Sequence, residues 1–334
     1  MKHVKNFILG TALLFMLVTT GGILTIPMNE SQFIEADWPG GLIIDHTCVD
    51  LTSIPSEWID AAQANVRIHY AHTSHGGQIT TGLDRLESAD SAYSQAQGYL
   101  ELPTDAGALC ILDGNPPHSY ITPDLYWETT GGVEITQGTL DDNPTITVSL
   151  WSWCTQLYYY DTTQVQDYLD TMTALENANP DVTFVYMTCN AQASGSEGYN
   201  RWVDNEMIRD YCTTNNKVLF DFADLDAWSN GDQNTYEYTY ESTTYTIPVE
   251  HEDFNGDQAG HTTYSSCEQK GRAFWWLVAS LAGWNAPTTT TSTGTTTGTT
   301  APTGSPDYVL IGTGLGLVGI LVIATFLYNR RLNP

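Results

Sequence analysis

Apolar residues return along positions 55 to 282 in two alternating rhythms. Near-continuous runs of about six residues read as buried strands, and three-to-four-residue spacings read as amphipathic helices. The runs are Val66–Ala71, Thr145–Trp151, Val182–Thr188 and Lys217–Phe222. Between them, Ile79, Leu83 and Leu86 predict a helix over 77–86, and Val165, Tyr168, Leu169, Met172 and Leu175 one over 163–177. Trp202, Met207, Ile208 and Tyr211 predict a helix over 200–215, and Phe274, Trp275, Leu277, Val278 and Leu281 one over 266–282. A short helix over 55–63, with Ser53 as its N-cap, precedes the first strand. Residues 30–54 read as irregular, 90–143 as a long decorated loop region with one apolar patch at Ala108–Leu112, and 228–260 as a polar insertion. Strands alternating with helices predict an α/β fold, a mostly parallel sheet covered on both faces. Ligands of such sheets sit at the carboxyl ends of the strands.

Two flanking patterns place this body in a larger plan. Residues 1–28 carry two early lysines and an apolar run from Phe7 to Ile26, which reads as a cleaved signal peptide or a retained signal anchor. Residues 287–307 hold eleven threonines among Gly, Ser and Pro and lack the apolar residues of a core, so they read as a disordered stalk suited to O-glycosylation. Residues 308–329 are uncharged and apolar or small until Asn329, and 330–334 begin with Arg330-Arg331. That is a transmembrane helix with a cytoplasmic tail. The body, 29–286, is therefore expected outside the cell, tethered at its C-terminal side.

Charge narrows the partners. The net charge is −28, and all 39 acidic residues fall between Glu30 and Asp307. Such a chain repels polyanions, so nucleic acid is excluded as a partner. Six cysteines in an oxidising setting predict at least one disulfide, with pairing undetermined; that setting also disfavours a free cysteine nucleophile.

The candidate chemistry begins at Ser74, just past the first strand, followed by Gly76 and Gly77. Glycines admit a substrate close to the backbone, and the amides opening the next helix suit an oxyanion. A serine hydroxyl needs a base, for which His261 is the candidate, with Asp257 to orient it. Ser74 equally suits a helix N-cap. His69, His72 and His75 form a three-residue ladder, but on a strand such residues alternate faces, so no metal site is expected there. His72 and His75 are instead placed on the substrate or a nearby carbonyl, and His69 in the core. Asp253, Asn255 and Asp257 have the spacing that opens a calcium loop, without its later glycine and glutamate, so no cofactor is required and calcium is the alternative. Asp221, Asp224 and Asp226 form a second acidic group. Aromatics at 93–160, Trp153 among them, and at 236–245 suit stacking on sugar rings or ordinary packing.

Strand-then-Ser74, with Asp257 and His261 before the last helix, resembles the SGNH (GDSL-type) hydrolase superfamily over residues 65–284. His72-Thr73-Ser74 stands where that family has Gly-Asp-Ser, and Asp257 and His261 are one residue further apart than its Asp-x-x-His. The segments Leu150–Cys154, Val218–Asp224 and Lys270–Trp276 look like those of a divergent, exported SGNH-like set. The resemblance implies a flavodoxin-like three-layer α/β/α sandwich and a serine esterase acting on carbohydrate or lipid esters. It also puts Asn190 where the family has its oxyanion asparagine. The competing reading is a non-catalytic surface protein that binds glycan or mediates adhesion.

Overall fold

In a computed structural model of the protein, residues 41–285 are described. The segments 1–28, 287–307, 308–329 and 330–334 lie outside that span. Among the described residues no helix is long and apolar enough to cross a membrane.

Seven parallel strands form one sheet: β1 (Ile43–Ile44), β2 (Arg67–His72), β3 (Gln95–Gly98), β4 (Leu109–Asp113), β5 (Val148–Ser152), β6 (Thr183–Met187) and β7 (Val218–Phe220). Their spatial order is β1-β7-β6-β5-β2-β4-β3. Every residue of β4, β5 and β7 is buried, as expected of strands covered on both sides. Helices α1 (Ser56–Asn65), α2 (Gly77–Ala89) and α7 (Tyr264–Leu281) pack together, and α4 (Thr162–Ala178) packs beside α5 (Gly195–Thr214). Reciprocal side-chain amides of Gln137 and Asn179 tie α3 (Thr130–Asp142) to the end of α4. This is an α/β fold with helices flanking a central parallel sheet.

Helices α2 and α7 touch backbone to backbone. A Cβ on Gly82 would lie 1.9 Å from the Cys267 carbonyl oxygen, and one on Gly271 2.7 Å from the Gly82 carbonyl carbon. That contact fixes the last helix against the one that opens after Ser74.

Several elements differ from the sequence reading. The region 90–143 is no single loop: it contributes β3, β4 and α3. Helix α3 hides because Gly131, Gly132 and Gly138 dilute its apolar face; Gly132 is required where the Asp124 carbonyl passes 2.4 Å from a would-be Cβ. Residues 30–54 yield the edge strand β1, and α1 is preceded by Pro55 rather than capped by Ser53. The short helix α6 (Phe222–Ala227) leads into the insertion, which folds as two hairpins, β8 (Trp228–Ser229) with β9 (Asp232–Gln233) and β10 (Thr235–Tyr240) with β11 (Thr243–Pro248).

The expected disulfide is not formed: all six cysteines are free. They sit on separate elements, and five are buried as small apolar side chains, a packing role thiols fill well.

Candidate active site

The order of β2, β4, β5, β6 and β7 within the sheet is second, first, third, fourth, fifth. The chain therefore reverses direction between β2 and β5, and the carboxyl ends at such a switch point are where sheets of this kind bind ligands. Thr73, Ser74 and His75 leave β2 there, and Trp153 and Cys154 leave β5.

His75 Nδ1 lies 2.9 Å from Cys154 Sγ, and its Nε2 donates to Gln192 Oε1 at 2.8 Å. Gln192 cannot turn over, because its Nε2 donates to Glu250 Oε1 at 2.9 Å and to the His261 carbonyl at 2.8 Å. Glu250 Oε1 also accepts from Thr262 Oγ1 at 3.0 Å. This chain fixes both the orientation and the tautomer of His75. Burial pushes the Cys154 thiol up, but the hydrogen bond and charge of His75, with the hydroxyls of Ser74 and Thr73, bring it down to about 6. Burial lowers His75, yet Cys154 and Gln192 outweigh it and the imidazole is raised. The two shifts run in the directions that favour a thiolate–imidazolium pair. Glu250 is raised to about 7 by burial and by Asp226.

The pair sits at the start of α2. Gly77 N–H is taken by the Ser74 carbonyl at 3.2 Å, whereas the N–H groups of Ser74, His75 and Gly76 have no acceptor among the described residues. A helix start carries about half a positive charge, which favours both a thiolate and an oxyanion.

Ser74 Oγ meets Cys154 Sγ at 3.4 Å and makes no hydrogen bond with His261 among the described residues. The His261 ring lies instead 4.8 Å from that of His75, centroid to centroid, with its Nδ1 3.8 Å from Asp257. Asn190 is spent on the backbone: its Nδ2 donates to the Cys154 carbonyl and its Oδ1 accepts from Tyr158 Oη, so it holds the Cys154 peptide in place. Trp153 is buried, its indole N–H on the Met187 carbonyl at 2.9 Å, and packs against Trp127, Trp151 and Tyr168 beneath the site. Gly76 lies on the His72 ring, where a Cβ would come 2.3 Å from His72 Cβ, and Gly77 opens α2.

The histidine ladder does not converge. His69 is buried on Ser149, and burial lowers it to about 4. His72 Nε2 pairs with Asp113 at 2.8 Å, and its Nδ1 donates to the Thr73 carbonyl at 2.6 Å. The calcium-like oxygens are divided too: Asp253 accepts from Ser229 and Asn230, while Asp257 turns to His261. Another cation-capable group, Asp45, His46 and Asp224, lies at the ends of β1 and β7.

Sequence reasoning did not single out Cys154 or Gln192. Their signal is positional: both follow strands that end at the sheet's binding edge. Compared with known proteins, the chain matches no family model and no curated protein.

Proposed function

We propose that the protein is an acyl-ester hydrolase whose nucleophile is Cys154. The observation that carries this is the 2.9 Å contact of His75 Nδ1 with Cys154 Sγ at the turning point of the sheet, with Gln192 holding the far side of the ring. The thiolate attacks the substrate carbonyl and forms an S–C bond. The oxyanion is taken by the free amides of Ser74, His75 and Gly76, just before α2. Collapse expels the alcohol and leaves a thioester, which water hydrolyses to return the thiolate. His75 is the counter-ion of the thiolate in both halves, and Gln192 keeps it in register.

The strand order fits a flavodoxin-like sandwich; the SGNH-type kinship and an ester substrate, carbohydrate or lipid, are part of this proposal. The exported, C-terminally tethered placement belongs to the same reading. In it, Ser74 stands beside the nucleophile as a hydrogen-bonding neighbour. Hydrolysis of p-nitrophenyl acetate by the full chain tests the assignment: Cys154→Ala should lower kcat/KM on the order of 10,000-fold, and Ser74→Ala less than about tenfold. The reverse ranking returns the attack to Ser74. Absence of turnover by the unaltered chain favours a glycan-binding or adhesive role.

A further inference from the structure

His261 is both a backbone outlier and a neighbour of the site. Ala259 and Thr262 bridge a tight turn whose central residues, Gly260 and His261, have φ of +54° and +69°. Both central positions of such a turn are left-handed, a region that Gly enters freely and that Asn, Asp and His enter more readily than other residues. The same geometry recurs at Asn230-Gly231 and, with neither Gly nor Asn, at Glu241-Ser242 in the β10/β11 hairpin.

The left-handed turn does two things at once. It aims the His261 carbonyl at Gln192 Nε2, 2.8 Å away, and lays the His261 ring on that of His75. Gln78 Nε2 on the Gly260 carbonyl, at 2.6 Å, pins the turn to the start of α2.

The two rings differ in what they have left to offer. His75 is 4 % exposed and both its nitrogens are committed, one to the thiol and one to Gln192. The His261 side chain is 54 % exposed; its Nδ1 faces Asp257, and its Nε2 has no partner among the described residues. A group that delivers a proton to a departing oxygen needs a free nitrogen on the open side of the nucleophile.

Building on the Cys154 reading, we propose that the two imidazoles divide the chemistry: His75 stays protonated beside the sulfur, and His261 carries the proton to and from the substrate. In acylation the S–C bond forms, the C–O bond breaks, and the departing oxygen takes its proton from His261. In deacylation water attacks the thioester and gives a proton to the now neutral His261, and the sulfur leaves as thiolate beside its imidazolium. One ester and one water become one acid and one alcohol, and both residues return to their starting state.

The test is leaving-group dependence in His261→Asn, a side chain that tolerates the left-handed turn. A phenolate such as p-nitrophenolate departs without a proton, whereas an alkoxide needs one. For the full-length variant, kcat/KM on benzyl acetate should fall about 100-fold or more, while the p-nitrophenol burst rate with p-nitrophenyl acetate changes less than about threefold. Alkylation of Cys154 by iodoacetamide should keep its rate, and added imidazole should restore part of the benzyl acetate activity. Equal losses on both esters, a slowed alkylation, or undiminished benzyl acetate turnover would each overturn the division of roles. A Cys154→Ala chain that still hydrolyses both esters would instead sink the thiol reading beneath it. His261→Gly serves as a second variant should the first fold poorly.

Discussion

Two clusters of ionisable side chains share the carboxyl edge of one sheet, and they are built to opposite ends. At β1 and β7, Asp221 takes both nitrogens of an Arg209 fork at 2.6 and 2.7 Å and the Thr188 hydroxyl at 2.8 Å. Asp224 holds His46 Nδ1 at 2.5 Å, and the His46 ring lies flat on Trp228, 4.1 Å away. Every strong group there has a partner in the protein. Between β2 and β5, by contrast, the Cys154–His75 pair sits beside three unengaged amides, and its sulfur is only partly buried. The β1/β7 cluster spends its charge on holding the sheet edge; the β2/β5 pair leaves valence for a substrate. Titratable residues alone do not mark a site; what matters is the bonding capacity left over after folding.

Breaking the saturated cluster should cost stability and spare chemistry. Arg209→Leu leaves Asp221 buried without its cation and should destabilise the fold by about 3 kcal/mol in urea unfolding, with the Cys154 alkylation profile unmoved. Arg209 holds the Asp221 carboxyl below its usual range despite burial. That contribution is therefore present above the ordinary carboxylate range and is lost as pH falls through the lowered value. A shifted alkylation profile in this variant would show that the two clusters are coupled.

Breaking the open cluster should do the opposite. With Cys154 at about 6 against an ordinary value of 9.0, iodoacetamide alkylation of the intact protein should rise with a midpoint near pH 6. His75→Ala removes the lowering contact and keeps the burial, so the midpoint moves to pH 9 or above. At pH 7 the thiolate fraction, and with it the rate, drops about 100-fold. Unfolding free energy should change little by comparison. Gln192→Ala frees the far side of His75 and should reduce kcat/KM about tenfold while leaving alkylation within a few-fold, since the sulfur contact remains. Smallest of all, His46→Gln should alter kcat/KM less than about twofold, because His46 is spent within its own cluster. A tenfold loss there would erase the contrast between the two ends of the edge.

The alternation of Val66–Ala71, Val182–Thr188 and their neighbours with amphipathic stretches made the parallel sheet legible, because buried strands write long apolar runs. The region from 90 to 143 was opaque since β3 is only half-buried and α3 is glycine-rich, so neither carries a rhythm. The site was legible as a place more than as a mechanism. A hydroxyl at a strand end and a histidine before the last helix marked where Ser74, His75 and His261 assemble. Which atom attacks depends on the β5 neighbour that strand order brings alongside β2, and no local pattern around Trp153-Cys154 encodes that pairing. The same holds for Gln192, which reaches His75 across 117 positions of chain.

The most direct test is the position of the acyl group in a trapped intermediate. The full-length protein, mixed briefly with p-nitrophenyl acetate, quenched in acid and digested, should carry acetyl on Cys154, lost on treatment with neutral hydroxylamine as a thioester requires. Acetyl on Ser74, or on neither residue while p-nitrophenol is released, would contradict the account.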